Sequence, residues 1–187
     1  MKKLLLLTSL IAFACTSCSV HFTSALRKQL EDSNVAMNRV QFYNSQSFAL
    51  QRELSSTETE IEGGKIQIKE GKRIEIINIP KSTPAVATHT GIDTIFVRFE
   101  EGDNKGIPFT CNRMNNVYSL ITPEKEREPL DVKDYADVPN CKFYGILNYD
   151  SKEYYYGYDI KPRLKVKKKQ MEKVLTEERT LDGVKIE

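Results

Sequence analysis

Residues 65–79, KIQIKEGKRIEIINI, decide the fold class of this chain. Isoleucine alternates with polar residues both before and after Gly71. Alternation with a period of two predicts strands that bury one face. Gly71 can adopt the left-handed conformation that a tight turn needs, so the stretch predicts an antiparallel hairpin.

The same period recurs along most of the chain, in segments about ten residues apart that are separated by polar turns. Strands are predicted around Val40 and Phe48 and over 65–69, 73–79, 93–100, 107–111, 116–122, 141–149, 153–160 and 161–169. Their connections are too short for helical crossovers, which favours antiparallel pairing. The chain is therefore predicted to be mainly β, an antiparallel sandwich or barrel.

Other segments do not show the alternation that predicts strands. Residues 23–33 predict a short helix that Thr23 or Ser24 can cap, with Leu26 and Leu30 on one face. Residues 80–91 are interpreted as a loop or an irregular edge, and residues 123–139 as a loop, because proline interrupts them. The tail has two interpretations, a helix over 170–179 or a hairpin around Asp182-Gly183, and the hairpin is preferred.

The first residues, MKKLLLLTSLIAFACTSCS, have the form of an export signal. Two lysines precede an apolar run, Leu4 to Ala14, of 11 residues. This run is too short to span a membrane, which needs roughly 20 apolar residues. Small residues stand directly before two cysteines, Cys15 and Cys18.

The ending Ser17-Cys18-Ser19 resembles the signal of bacterial lipoproteins of the Bacteroides-group type, although the stricter Leu-Ala-Gly-Cys pattern is not matched. The resemblance implies cleavage before a cysteine that then carries fatty acyl chains, palmitate among them. Cys18 is preferred to Cys15 because Cys15 would place bulky Phe13 two residues before the cut. Cleavage at Cys18 also leaves an even number of other cysteines.

The resemblance further implies a protein anchored to a membrane rather than spanning it, since several acyl chains hold a protein stably. No acidic run follows Cys18, which by analogy favours an outer-membrane lipoprotein that faces the periplasm. The predicted organisation is a signal peptide over 1–17, an anchor cysteine, tether and short helix over 18–38, and one β-rich domain over 39–187.

Composition excludes some partners. The chain has 28 basic and 26 acidic residues, and two of the basic ones lie in the leader, so the mature chain is formally neutral. This balance argues against nucleic acid as a partner. Cys111 and Cys141 are either a disulfide or two buried thiols, and the sequence leaves both open. No metal or cofactor is expected, since the two histidines and the cysteines lack ligand spacing.

Two surface candidates emerge. Tyr154, Tyr156 and Tyr158 would share one face of a strand, and are either a platform for sugar rings or a face that packs inside the sandwich. The basic residues Arg163, Lys165, Lys167 and Lys169 would share another strand face. They either meet lipid headgroups and acidic glycans, or protect an edge strand from aggregation.

Catalytic signals are weak. His89 has no accompanying nucleophile or metal motif, and the acidic turn Glu100, Glu101, Asp103 and Asn104 does not match a calcium loop. The sequence therefore predicts a non-catalytic binding or assembly module of the cell envelope, with an envelope protein or glycan as partner. A carrier of a small apolar ligand in a barrel interior and an envelope hydrolase remain the alternatives.

Overall fold

The computed structural model describes residues 18–54, 65–69, 72–102, 106–126, 143–157 and 159–175. Within them the chain forms two packed antiparallel sheets, in a sandwich-like arrangement rather than a closed barrel. The strands are β1 Ser19–His21, β2 Gln41–Asn44, β3 Phe48–Glu53, β4 Lys65–Lys69, β5 Lys72–Ile79, β6 Pro84–Thr90, β7 Thr94–Arg98, β8 Ile107–Asn112, β9 Val117–Ser119, β10 Glu124–Glu126, β11 Phe143–Tyr149, β12 Lys152–Gly157 and β13 Leu164–Lys167. The helices are α1 Ser24–Asp32 and α2 Lys168–Leu175, with a 3₁₀ turn at Met37–Arg39.

The first sheet has the strand order β1-β13-β2-β6-β7-β8-β9, and the second has the order β10-β11-β12-β3-β5-β4. Hydrogen bonds bring the two ends of the first sheet together. The Tyr118 amide donates to the Phe22 carbonyl at 3.1 Å, and the Leu120 amide donates to the Pro162 carbonyl at 2.8 Å. Strand β1 thus lies close to β9, which comes from the middle of the sequence.

The core forms where the two sheets face each other. Alternate residues of the first sheet, such as Phe42, Ile95 and Val97, point inward and are fully buried. They pack with side chains of the second sheet, including Leu50 and Tyr154, in one continuous cluster. The alternation predicted from the sequence therefore corresponds to the buried face of the strands.

The hairpin at 65–79 is confirmed as β4 and β5. Lys69 pairs with Lys72, and Ile68 pairs with Arg73, so two residues connect the strands. The turn residues themselves lie outside the described part of the chain. In β5, Ile74 and Ile76 are buried, as their alternation indicated.

Residues 80–91 were interpreted as a loop or an irregular edge, and this is wrong for residues 84–90, because β6 lies inside the first sheet between β2 and β7. Pro84 is the first residue of β6, where a missing amide hydrogen is tolerated. The inward residues are Ala85 and Ala87, whose small side chains gave little hydrophobic signal. Likewise β10 forms at the start of the predicted loop over 123–139; the rest of that segment is not described.

Residues 18–38, predicted as anchor cysteine, tether and short helix, contribute a strand to the first sheet and a helix that packs on the core. Strand β1 pairs with β13 along Ser19–His21, and Phe22 is fully buried. The predicted helix is confirmed as α1, with the Thr23 hydroxyl accepting from the Leu26 amide at 3.3 Å. Leu30 on α1 is fully buried, so the helix is docked rather than part of a tether.

The C-terminal segment begins as a helix, contrary to the preferred hairpin. Helix α2 starts directly after β13, and Met171 is 4% exposed, with Val174 and Leu175 packed beside it against the core. Their spacing of three and four residues places them on one helical face. Residues 176–187, which contain Asp182-Gly183, lie outside the described residues. Within the described ranges, neither helix has the length and apolarity needed to cross a membrane.

Gly145 occupies a position in β11 that a side chain cannot share. A Cβ added at Gly145 would overlap the ring of Tyr156, its cross-strand partner. Tyr156 is 1% exposed, so its ring is enclosed by neighbouring atoms. We expect Gly145→Ala to lower the free energy of unfolding by about 1–3 kcal/mol through overpacking.

Urea unfolding followed by circular dichroism measures this loss. Gly91→Ala is the matched control, since a Cβ there meets atoms only at 3.7 Å and beyond. The control should change stability by less than about 1 kcal/mol. Equal stability losses in the two variants would contradict the packing of Tyr156 on Gly145.

Candidate functional site

The candidate anchor residue, Cys18, is exposed and lies immediately before the first strand. Its carbonyl accepts a hydrogen bond from the Lys168 amide at 3.0 Å, and the next residue, Ser19, pairs with Lys167. The backbone of Cys18 is therefore fixed to the end of β13 and the start of α2, while its thiol is open to solvent. Cys15, the other candidate, lies outside the described residues.

Basic side chains surround this attachment point. We call Arg163, Lys165, Lys167, Lys168 and Lys169 the basic face. Their neighbours Leu164 and Val166 are fully buried, so the alternating Arg163, Lys165 and Lys167 project outward from the sheet. Four of the five members are exposed and Lys165 is half-buried.

The structure corrects the strand geometry that the sequence suggested for this stripe. Strand β13 is not an edge strand, because it lies between β1 and β2. Protection of an edge therefore does not explain its lysines. Lys169 also leaves the strand face, since α2 begins at Lys168. Both Lys168 and Lys169 lie in the first turn of α2, where positive charge opposes the helix dipole.

Two aromatic residues from neighbouring strands complete the face. His21 pairs with Lys165, and burial, followed by the charges of Arg163 and Lys165, lowers its pKa. The Nζ of Lys167 lies 5.1 Å from the centre of the Tyr43 ring, a cation–π contact. Sequence reasoning missed His21 and Tyr43 because they approach the basic residues only through strand pairing.

We call Tyr154, Tyr156 and Tyr158 the tyrosine ladder. Tyr154 and Tyr156 do not form a binding surface in this structure. Tyr154 is 2% exposed and Tyr156 is 1% exposed, so neither ring offers a face to a sugar. Tyr158 lies outside the described residues. Tyr154 and Tyr156 instead face the core, because the inner side of the second sheet is closed by the first.

Tyr154 belongs to a buried polar cluster. Arg52 Nε donates to Glu75 Oε2 at 2.5 Å, and the Tyr154 hydroxyl donates to the same oxygen at 3.1 Å. Burial raises the pKa of Tyr154, and the Glu75 carboxylate raises it further, while Arg52 lowers it. The result is a pKa of about 12. Tyr154 therefore remains a neutral donor at physiological pH.

A pocket of about 360 Å³ opens beside this cluster, lined by Arg52, Glu53, Lys152, Glu153 and Tyr155. Its lining carries charges of both signs, and the Tyr155 hydroxyl donates to Glu153 at 2.7 Å. Such a lining does not suit an apolar ligand. Between the two sheets, where a carrier would hold one, the described core side chains pack together in one cluster.

The remaining sequence candidates do not converge. Cys111 carries a half-buried free thiol, while Cys141 lies outside the described residues. His89 is exposed at a bulge in β6, with the Phe96 ring centre 5.8 Å away. Glu100 accepts a hydrogen bond from the Tyr149 hydroxyl, and Asp103 and Asn104 are outside the described ranges. Among described residues, no three metal-binding side chains cluster.

Two neighbouring loops present apolar side chains that the sequence did not single out. Ile92 is 93% exposed and Met114 is 95% exposed. Their loops are adjacent, because the Cys111 amide donates to the Asp93 carbonyl at 2.7 Å and Arg113 approaches the Asp93 carboxylate at 3.9 Å.

The comparisons with known proteins offer no further guide, since no family model, no curated protein and no solved structure matches this chain.

The buried cluster predicts a large stability loss when one partner is removed. Glu75→Gln removes the buried carboxylate that accepts hydrogen bonds from Arg52 and Tyr154, and we expect a loss of about 3 kcal/mol in the free energy of unfolding. Glu31→Gln, which breaks the exposed ion pair with Arg27, is the control and should cost less than about 1 kcal/mol. Urea titration of both variants measures the difference, and a Glu75→Gln loss no larger than the control's would contradict the account.

The environment of His21 predicts a pH dependence. Its pKa in the folded state lies below the ordinary value of 6.5, so folding favours the neutral imidazole. This contribution to stability is present above pH 6.5 and decreases as the pH falls toward the lowered pKa. Between about pH 7.5 and about pH 5.5, the wild type should therefore lose more stability than His21→Gln. Urea midpoints at the two pH values measure this, and equal losses would refute it.

Proposed function

We propose that the protein is a bacterial envelope lipoprotein, anchored through acyl chains on Cys18 and facing the periplasm from the outer membrane. The leader pattern that ends in Ser17-Cys18-Ser19 suggests this attachment. The observation that carries the proposal is the position of Cys18, which is exposed and immediately precedes β1. A thioether to lipid at that sulfur requires no rearrangement of the sheet.

We further propose that the domain acts as a non-catalytic binding or assembly module. The exposed apolar side chains of Ile92 and Met114, on adjacent loops, support contact with a partner protein, since burying exposed apolar surface favours association. The hydrolase alternative needs His89 in a cleft, whereas His89 is exposed on a strand. The carrier alternative needs a cavity between the sheets, a region where the described core side chains pack together in one cluster.

Metabolic labelling tests the anchor. Cells that express the full chain are grown with an alkyne analogue of palmitate, and the label is coupled to a dye. We expect the wild type to be labelled and to partition into the detergent phase of Triton X-114. Cys18→Ser should lose the label and accumulate as the uncleaved precursor, because the acceptor sulfur is gone.

Cys15→Ser is the matched control, three residues earlier in the same leader. It should retain both the label and the membrane partition. Label that survives Cys18→Ser but disappears in Cys15→Ser would assign the anchor to Cys15. An unlabelled wild type would overturn the proposal.

A further inference from the structure

The chain leaves no slack between the proposed anchor and the folded domain. Ser19 is already paired with Lys167, and the carbonyl of Cys18 is bonded to the Lys168 amide. One residue of extended chain covers only about 3.3–3.6 Å. An acyl group on Cys18 would therefore hold the domain directly against the bilayer surface.

The surface held there is the basic face. Lys167 and Lys168 are the residues that contact Ser19 and Cys18 through the backbone, and Lys169 follows in the first turn of α2. From Ile160 to Met171 the sequence contains six basic residues and no acidic one. The charge nearest the membrane is thus positive although the mature chain is neutral as a whole.

We propose that the basic face docks on the anionic phospholipid headgroups around the anchor and fixes the orientation of the domain. This inference rests on the proposed acylation of Cys18. The phosphate groups of the bilayer supply charge complementarity, and the anchor supplies proximity. Docking turns a point attachment into a surface contact, so that the loops carrying Ile92 and Met114 are presented in one orientation.

Electrostatic attraction of lysine to an anionic bilayer sets the expected size of the effect. Each exposed lysine that lies near such a surface changes the ratio of docked to undocked protein by about fivefold. The interaction is screened by salt, since the Debye length falls from about 10 Å at 0.1 M to about 3 Å at 1 M. Docking is therefore expected to depend on lipid charge and on ionic strength.

Lysine acetylation by a water-soluble reagent, read by mass spectrometry, tests the proposal. The acylated protein is added to preformed vesicles of phosphatidylcholine, with or without phosphatidylglycerol. We expect Lys167, Lys168 and Lys169 to react several-fold more slowly on the anionic vesicles than on the neutral ones. The exposed lysines Lys28, Lys81 and Lys152 serve as internal references and should react equally on both.

A pair of charge-matched variants separates the basic face from net charge. Lys165 remains in both variants and should also react slowly when the face is docked. The triple variant Lys167→Gln/Lys168→Gln/Lys169→Gln should lose this protection of Lys165, and so should the wild type at high salt. The triple variant Lys28→Gln/Lys81→Gln/Lys152→Gln removes the same charge and should retain that protection. Equal protection in the two variants would overturn the proposal even if one of them is less stable.

The outcomes distinguish the inference from its premise and from another anion. An intact mass that shows unmodified Cys18 contradicts the proposed function. An acylated protein whose lysines all react equally overturns docking alone. Loss of protection in inorganic phosphate, but not in chloride of equal ionic strength, would assign the face to free phosphate and also overturn the proposal.

Discussion

The structure depends on the pairing of the first described residues with β13. The Phe22 amide donates to the Leu164 carbonyl at 2.8 Å, and the Phe22 carbonyl accepts from Tyr118, so this one residue joins β1, β13 and β9. The Phe22 side chain is fully buried against Phe42 and Tyr118, which contributes about 2–3 kcal/mol of hydrophobic stabilisation. The N-terminal segment is therefore a structural strand of the first sheet rather than a tether that precedes it.

This constraint links the fold to the proposed attachment. A strand that begins one residue after the cysteine proposed to be acylated would transmit the position of the anchor to the whole sheet. Because β13 runs beside β1, its outward lysines are brought to the anchor by backbone pairing rather than by chance proximity. The basic face, His21 and Tyr43 thus form one surface, built from three neighbouring strands and the first turn of α2.

Sequence patterns predicted the elements correctly where local periodicity and capping agree with the burial seen in the structure. The hairpin at 65–79, helix α1 with its Thr23 cap and most strands follow from periodicity and capping. Prediction from sequence patterns failed where pairing between segments distant in sequence determines the position of an element. Strand β6 carries only alanine on its buried side, so its place inside the sheet comes from β2 and β7. The tyrosine ladder has the same alternation whether it faces solvent or a second sheet, and only packing shows that Tyr154 is buried. Likewise β13 is covered by the three-residue strand β1, in which His21 pairs with Lys165, 144 residues later in the sequence and too remote for a periodicity argument to detect.

Amide hydrogen exchange over residues 18–24 of the mature chain tests the central claim most directly. The account predicts that the amide of Phe22 exchanges as slowly as the central strands of the first sheet, because both open only when the sheet unfolds. Exchange of this segment at the rate of an unstructured peptide, with the rest of the sheet protected, would contradict it and would show that Cys18 is joined to the domain by a free tether.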